Sequence, residues 1–190
     1  MTEFFAYELL TWPEVAALPR TTPLVIPLGE GYAPARLAGA LGNPPAIGLL
    51  PAIPFGWPGS GLAVPEPIFG RLVANLADSL RDDGFSKVHV LTPQGIDLGL
   101  GAQRIALPHA GRTSVVAPLP ADADRDKVVL IPIGHTEQHG HHLPLNTDTV
   151  IIDAIARGTV DLAQGAAVTL PAYPYGVSTH RPAFAGTLNC

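Results

Sequence analysis

The sequence predicts an α/β fold: a mainly parallel sheet flanked by helices in layers. Short apolar, β-branched runs alternate with helix-period segments, the pattern that favours parallel strands joined by helical crossovers. The 21 prolines and 20 glycines fall at the edges of those runs, where they punctuate loops instead of forming a disordered tract. The pattern also occurs twice. Pro27-Leu28-Gly29, after an apolar run, recurs as Pro132-Ile133-Gly134, and Leu50-Pro51-Ala52-Ile53-Pro54-Phe55-Gly56 recurs as Leu170-Pro171-Ala172-Tyr173-Pro174-Tyr175-Gly176.

In the first copy, 24–28 and 46–50 are buried-strand candidates by their short apolar runs. Residues 65–83 read as a helix, with Ile68, Leu72, Leu76 and Leu80 at every fourth position and Gly84 as a C-terminal stop. The next strand is 87–91, and the loop Thr92-Pro93-Gln94-Gly95 leaves its carboxyl end, where open parallel sheets gather ligands. Residues 118–126, with Asp122, Asp124 and Asp126, read as a solvated linker. The second copy has strands near 128–133 and 167–170 with a helix at about 147–163 between them, and about 15 more residues between its landmarks than the first. Matching Gly61-Leu62 to Gly186-Thr187 leaves it without counterparts of the 65–83 helix and the 87–91 strand. The expected organisation is a degenerate copy lacking metal ligands at 1–110 and the N-terminal half of a metal-binding copy at 111–190.

Composition excludes several classes. With 47% hydrophobic residues over 190 positions, the chain is long enough to bury a sizeable core. Only 11 Lys plus Arg and a net charge of -5 leave no electrostatic footprint for nucleic acid. No apolar stretch approaches the length of a membrane span, and the N-terminus lacks a charged-then-apolar signal pattern. The single cysteine, Cys190, permits no internal disulfide, so a cytoplasmic setting is expected.

The added residues of the second copy hold the chemistry. Five of the seven histidines (His135, His139, His141, His142 and His180) lie within 46 residues, together with Glu137 and Asp148. Carboxylate and imidazole together suit zinc, manganese or iron, whereas calcium takes oxygen ligands. In an extended segment leaving the strand, Glu137 and His139 point the same way, Gly140 lets the chain turn, and Asp148 at a helix start comes back toward them. Clustering such groups without ligation costs stability through desolvation and repulsion.

The run Glu137-Gln138-His139-Gly140, His142-Leu143-Pro144-Leu145 and Thr147-Asp148 resembles the signature of the creatininase (creatinine amidohydrolase) family. The likeness covers 127–190 well, while 8–95 look like a degenerate copy. The resemblance implies a binuclear amidohydrolase on a layered α/β fold, acting on non-peptide, often cyclic, C–N amide bonds. Two divalent transition-metal ions would lower the pKa of a bound water, supplying hydroxide for attack on the amide carbonyl. Glu137 would bind one ion, His139 the other, and Asp148 would bridge them. His180 would face the substrate as a catalytic residue; His142, His141 and Tyr175 would orient ligands or contact substrate. His135 and His141 depart from the family pattern, which has a small residue and Pro there.

The family draws its remaining ligands from a His-containing loop and an acidic residue beyond the segment present here. In the first copy, Thr92-Pro93-Gln94-Gly95 has no such side chain, and neither Glu30 nor His109 is a convincing replacement. The expectation is therefore a hetero-oligomer in which a second polypeptide supplies the missing half-domain and ligands, with a small-molecule amide as substrate and a higher oligomer as the assembly. The competing account is a non-catalytic structural or regulatory subunit with a vestigial motif.

Overall fold

The computed structural model describes residues 1–108, 120–180 and 183–190. The expected boundary near 110, His109 and part of the 118–126 linker lie outside the described residues. Five strands, β1 (Glu3–Ala6), β2 (Leu24–Pro27), β3 (Ala46–Leu49), β4 (Val88–Pro93) and β5 (Arg104–Leu107), form a parallel sheet in the order β1-β3-β2-β4-β5. The central strand β2 has partners on both edges, with Leu24 opposite both Gly48 and Val88, and all four of its residues are buried.

Three helices, α1 (Trp12–Ala17), α2 (Pro34–Ala40) and α3 (Glu66–Asp82), accompany this sheet. Alternation along β2 decides which face each covers. Leu24 and Ile26 join Phe69, Val73, Leu76 and Leu80 of α3 in the main core, whereas Val25 joins Leu37 and Ala38 of α2 in a second cluster on the opposite face. The buried stripe of α3 is Phe69, Val73, Leu76, Ala77 and Leu80, and Ile68 is half exposed. A strict four-residue repeat drifts around a 3.6-residue helix, so a mixture of three- and four-residue steps is what stays on one face. Gly84, with φ of 94°, ends the helix as expected.

The second copy forms a two-stranded parallel sheet of β6 (Val128–Leu130) and β7 (Ala167–Thr169), with α4 (Thr147–Leu162) between them in sequence. The repeat is visible in the backbone bonds. The Leu50 N–H donates to Val25 O and Leu170 to Leu130 O, both at 2.9 Å, and Leu28 bridges Ile53 as Ile133 bridges Tyr173. The burial expected for the 128–133 strand is not found: Val128, Ile131 and Ile133 are 62%, 60% and 62% exposed. Among the described residues β6 pairs with β7, and its apolar pattern meets no layer equivalent to α3 and β4.

The two sheets share a core. Leu145, Tyr175 and Leu188 of the second copy pack with Tyr7, Val15, Leu24 and Leu28. Backbone N–H groups of Leu145 and Asn146 donate to Leu10 O and Glu8 O at 3.0 and 3.1 Å, and Gly186 N–H donates to Asp83 Oδ2 at 2.8 Å. No described helix is long and apolar enough to cross a membrane.

Candidate metal centre

Past the end of β6, the 134–146 segment turns back on itself, and three contacts hold its shape. Thr136 Oγ1 donates to Pro174 O (2.9 Å), the Gln138 N–H donates to Thr187 Oγ1 (3.3 Å), and the Gly140 N–H donates to Gln138 Oε1 (2.8 Å). These Thr and Gln side chains flank the ligand motif and were not singled out from sequence. A polar residue next to a His-rich loop, where backbone groups need partners, was the available signal.

Gly134 sets the distance to α4. A Cβ there would lie 2.5 Å from the Thr149 Cα, so only glycine lets the first turn of α4 approach the strand end this closely. Thr149 Oγ1 then donates to His135 O at 3.2 Å. This approach brings Asp148, in the first turn of α4, to the loop, where the helix N-terminus favours a carboxylate.

Glu137, His139 and Asp148 each offer a ligand atom within 4.8 Å of the others, and they form such a group among the described residues. Glu137 is 7% exposed, and its backbone N–H is held by Leu145 O. His139 Nδ1 lies 3.0 Å from Glu137 O and its Nε2 lies 3.1 Å from Asp148 Oδ1. A carbonyl only accepts, so Nδ1 carries the proton and Nε2 presents a lone pair in the neutral ring. That lone pair faces a carboxylate oxygen, so the pair needs either a second ring proton or a cation between them. An imidazole oriented through a backbone carbonyl and aimed beside a carboxylate is the arrangement that metal-binding histidines adopt. The donor set therefore fits a divalent transition metal.

The other expected residues take varied positions. His142 and His141 are exposed beside the cluster, and the His141 ring lies 5.3 Å from that of Trp12, which also contacts Phe184. His180 is exposed, with Nδ1 3.4 Å from Ser178 Oγ. Tyr175 sits in the interior. It is 1% exposed in the shared core, and its hydroxyl donates to Pro51 O at 2.6 Å, because the apolar packing of the two copies encloses its ring. His135 is buried against Gly176, outside the three-residue cluster, and neither ring nitrogen has a hydrogen-bond partner among the described residues. In the first copy, Glu30 is exposed at a turn, and 92–95 brings no imidazole or carboxylate.

Residues 117–190 match the family model described as creatinine amidohydrolase. Curated relatives include the mycofactocin precursor peptide peptidases of Mycolicibacterium smegmatis, 49% identical over 67 residues, and of Mycobacterium tuberculosis, 44% identical over 69. The peptidase of Mycobacterium ulcerans is 43% identical over 68 residues. Each match covers about a third of this chain, and the chain spans only 27%, 28% and 27% of the respective relatives. No solved structure matches. In this match and in the ligand-type pattern at 137–148, residues 117–190 of the chain are similar to the creatininase family, described as creatinine amidohydrolase.

Proposed function

We propose that the chain is one part of a metal-dependent amidohydrolase that cleaves an amide C–N bond at a two-ion centre, with Glu137, His139 and Asp148 forming one side of it. The observation that carries this reading is His139 Nε2 facing Asp148 Oδ1 at 3.1 Å while Nδ1 is engaged by Glu137 O. Divalent zinc, manganese or iron bound there would polarise an amide carbonyl and acidify water. Asp148, with two carboxylate oxygens, is suited to contact both ions, Glu137 to hold one and His139 the other. His180, exposed in the loop that follows β7, is placed in the role of substrate contact and proton transfer, and His142 and His141 line the approach. The relatives are named as peptidases, which makes a peptide amide the substrate class to assay first, ahead of the cyclic amide that the family resemblance implies.

The centre lacks its far side among the described residues, and the apolar positions of β6 are exposed. A second polypeptide that supplies counterparts of α3 and β4, and with them the further ligands, satisfies both. Metal analysis of the purified assembly alongside Glu137→Ala tests the centre. About two ions per complete site are expected, with at least one lost in the variant at unchanged far-ultraviolet circular dichroism. Equal metal content in both removes Glu137 as a ligand. Intact masses of every polypeptide in the assembly test the second chain; a single 19.8 kDa species without metal overturns it.

A further inference from the structure

At the carboxyl ends of β1, β2 and β3, the first sheet forms a cavity of about 430 Å³. The chain leaves β2 toward α2 on one face and β3 toward α3 on the other, and such diverging connections open the crevice in which parallel sheets bind ligands. By the repeat, Gly29-Glu30-Gly31 of its rim matches the start of the metal loop at Gly134, so this cavity is the first copy's counterpart of the metal centre. Its chemistry is different. Phe4, Leu37, Leu49 and Leu91 make an apolar wall, Glu8 and Glu30 are its carboxylates, and no cationic or imidazole side chain lines it among the described residues. Glu30 is exposed at the mouth, whereas Glu8 is half-buried in the lining and its Oε2 has no hydrogen-bond partner among the described residues. Burial pushes the Glu8 carboxyl up from its ordinary range while its own backbone N–H pulls it back, and a cation beside the carboxylate would offset that desolvation.

We propose that this crevice is a binding site for a small organic amine, its ammonium group against Glu8 and its apolar body against Phe4, Leu49 and Leu91. Cavities of this size suit ligands of a few to a dozen heavy atoms, and an ammonium–carboxylate contact screened by apolar walls supplies orientation. The apolar wall around Glu8 suits the body of an organic cation, so the first copy offers recognition where the second gathers metal-binding side chains.

The test is calorimetric titration of the purified assembly with benzylamine, with benzyl alcohol and benzoate as neutral and anionic counterparts. Benzylamine is expected to bind more tightly than both. Glu8→Gln is expected to weaken benzylamine by at least about tenfold, and Ala52→Trp, which fills the cavity from its rim, to abolish the heat with the thermal midpoint retained. Binding is expected to persist in Glu137→Ala, which separates this site from the metal centre. No heat with benzylamine, equal heats for the three probes, full binding by Ala52→Trp, or loss of binding in Glu137→Ala would each overturn the proposal. If Glu8→Gln does not fold, Ala52→Trp and Glu137→Ala still decide it.

Discussion

β2 and β6 occupy matching places in the two copies, and both are short apolar, β-branched runs that end at a Pro-x-Gly landmark. Leu24, Val25 and Ile26 are fully buried, while Val128 and Val129 are 62% and 41% exposed. The residues are interchangeable in chemistry, so the difference lies in their surroundings. β2 is bonded to β3 and β4 and covered by α2 and α3, whereas among the described residues β6 is bonded to β7 alone. An apolar run codes for a strand; burial needs neighbours. The same contrast reaches the candidate site, since Glu137, His139 and Asp148 gather in the half-covered copy.

Truncating equivalent interiors tests the comparison most strongly. Ile26→Ala is expected to cost about 2–5 kcal/mol in urea unfolding, as for other fully buried aliphatic side chains. Ile131→Ala should change stability by no more than about 0.5 kcal/mol in the chain alone. If a partner covers β6, the cost of Ile131→Ala rises in the assembly. Equal losses in the isolated chain would break the comparison.

Glycines sharpen it within one unit. Gly134→Ala forces a Cβ to 2.5 Å from Thr149 Cα and should cost about 1–3 kcal/mol by overpacking, with weaker metal retention because α4 carries Asp148. Gly158→Ala, inside the same helix with nothing near its Cβ, should stabilise by about 0.5–1 kcal/mol. Thermal melts with metal content measured in parallel separate the two.

The joint between the copies gives a smaller effect. Tyr175→Phe removes the hydroxyl that donates to Pro51 O and should cost about 0.5–1.5 kcal/mol in denaturant unfolding. An unchanged midpoint would mean that apolar packing alone holds the joint.

The smallest expected effect is a pH slope from Asp83, which accepts the Gly186 N–H across the joint. Burial raises its carboxyl above the ordinary 3.8, while the Gly186 bond and Arg20 pull it back. In that window the folded state holds more proton than the unfolded one, so Asp83 costs stability as pH rises from 3.8 through its folded value and recovers it on acidification. Asp83→Asn should flatten this slope in unfolding measured across mildly acid pH; an unaltered slope would assign it to other groups, Glu8 among them.

Much of the site was legible in the residue order. Glu137, His139 and Asp148 stand out because carboxylates and imidazoles cluster where a buried strand was expected to end, and the structure brings those three together. Tyr175 reads as a candidate for the site because it is an aromatic residue in a Pro-rich loop; its hydroxyl bonds Pro51 O, 124 positions away, which no local pattern reveals. β1, α1, α2 and β5 went unassigned because runs of four to seven residues leave too few periods to distinguish helix, strand and loop.

By itself, the sequence determined the parallel α/β class, the repeat and its insertion, the strands β2, β3, β4, β6 and β7, the helices α3 and α4, and the candidate ligand types, since local periodicity and side-chain chemistry are written in residue order. Tertiary structure alone decided which runs are buried, that both copies share one core, how closely α4 approaches Gly134, and that the first copy holds an acidic, apolar-walled cavity where the second gathers Glu137, His139 and Asp148. Those properties are set by contacts between residues far apart in the chain, and burial and distance exist only once the chain has folded.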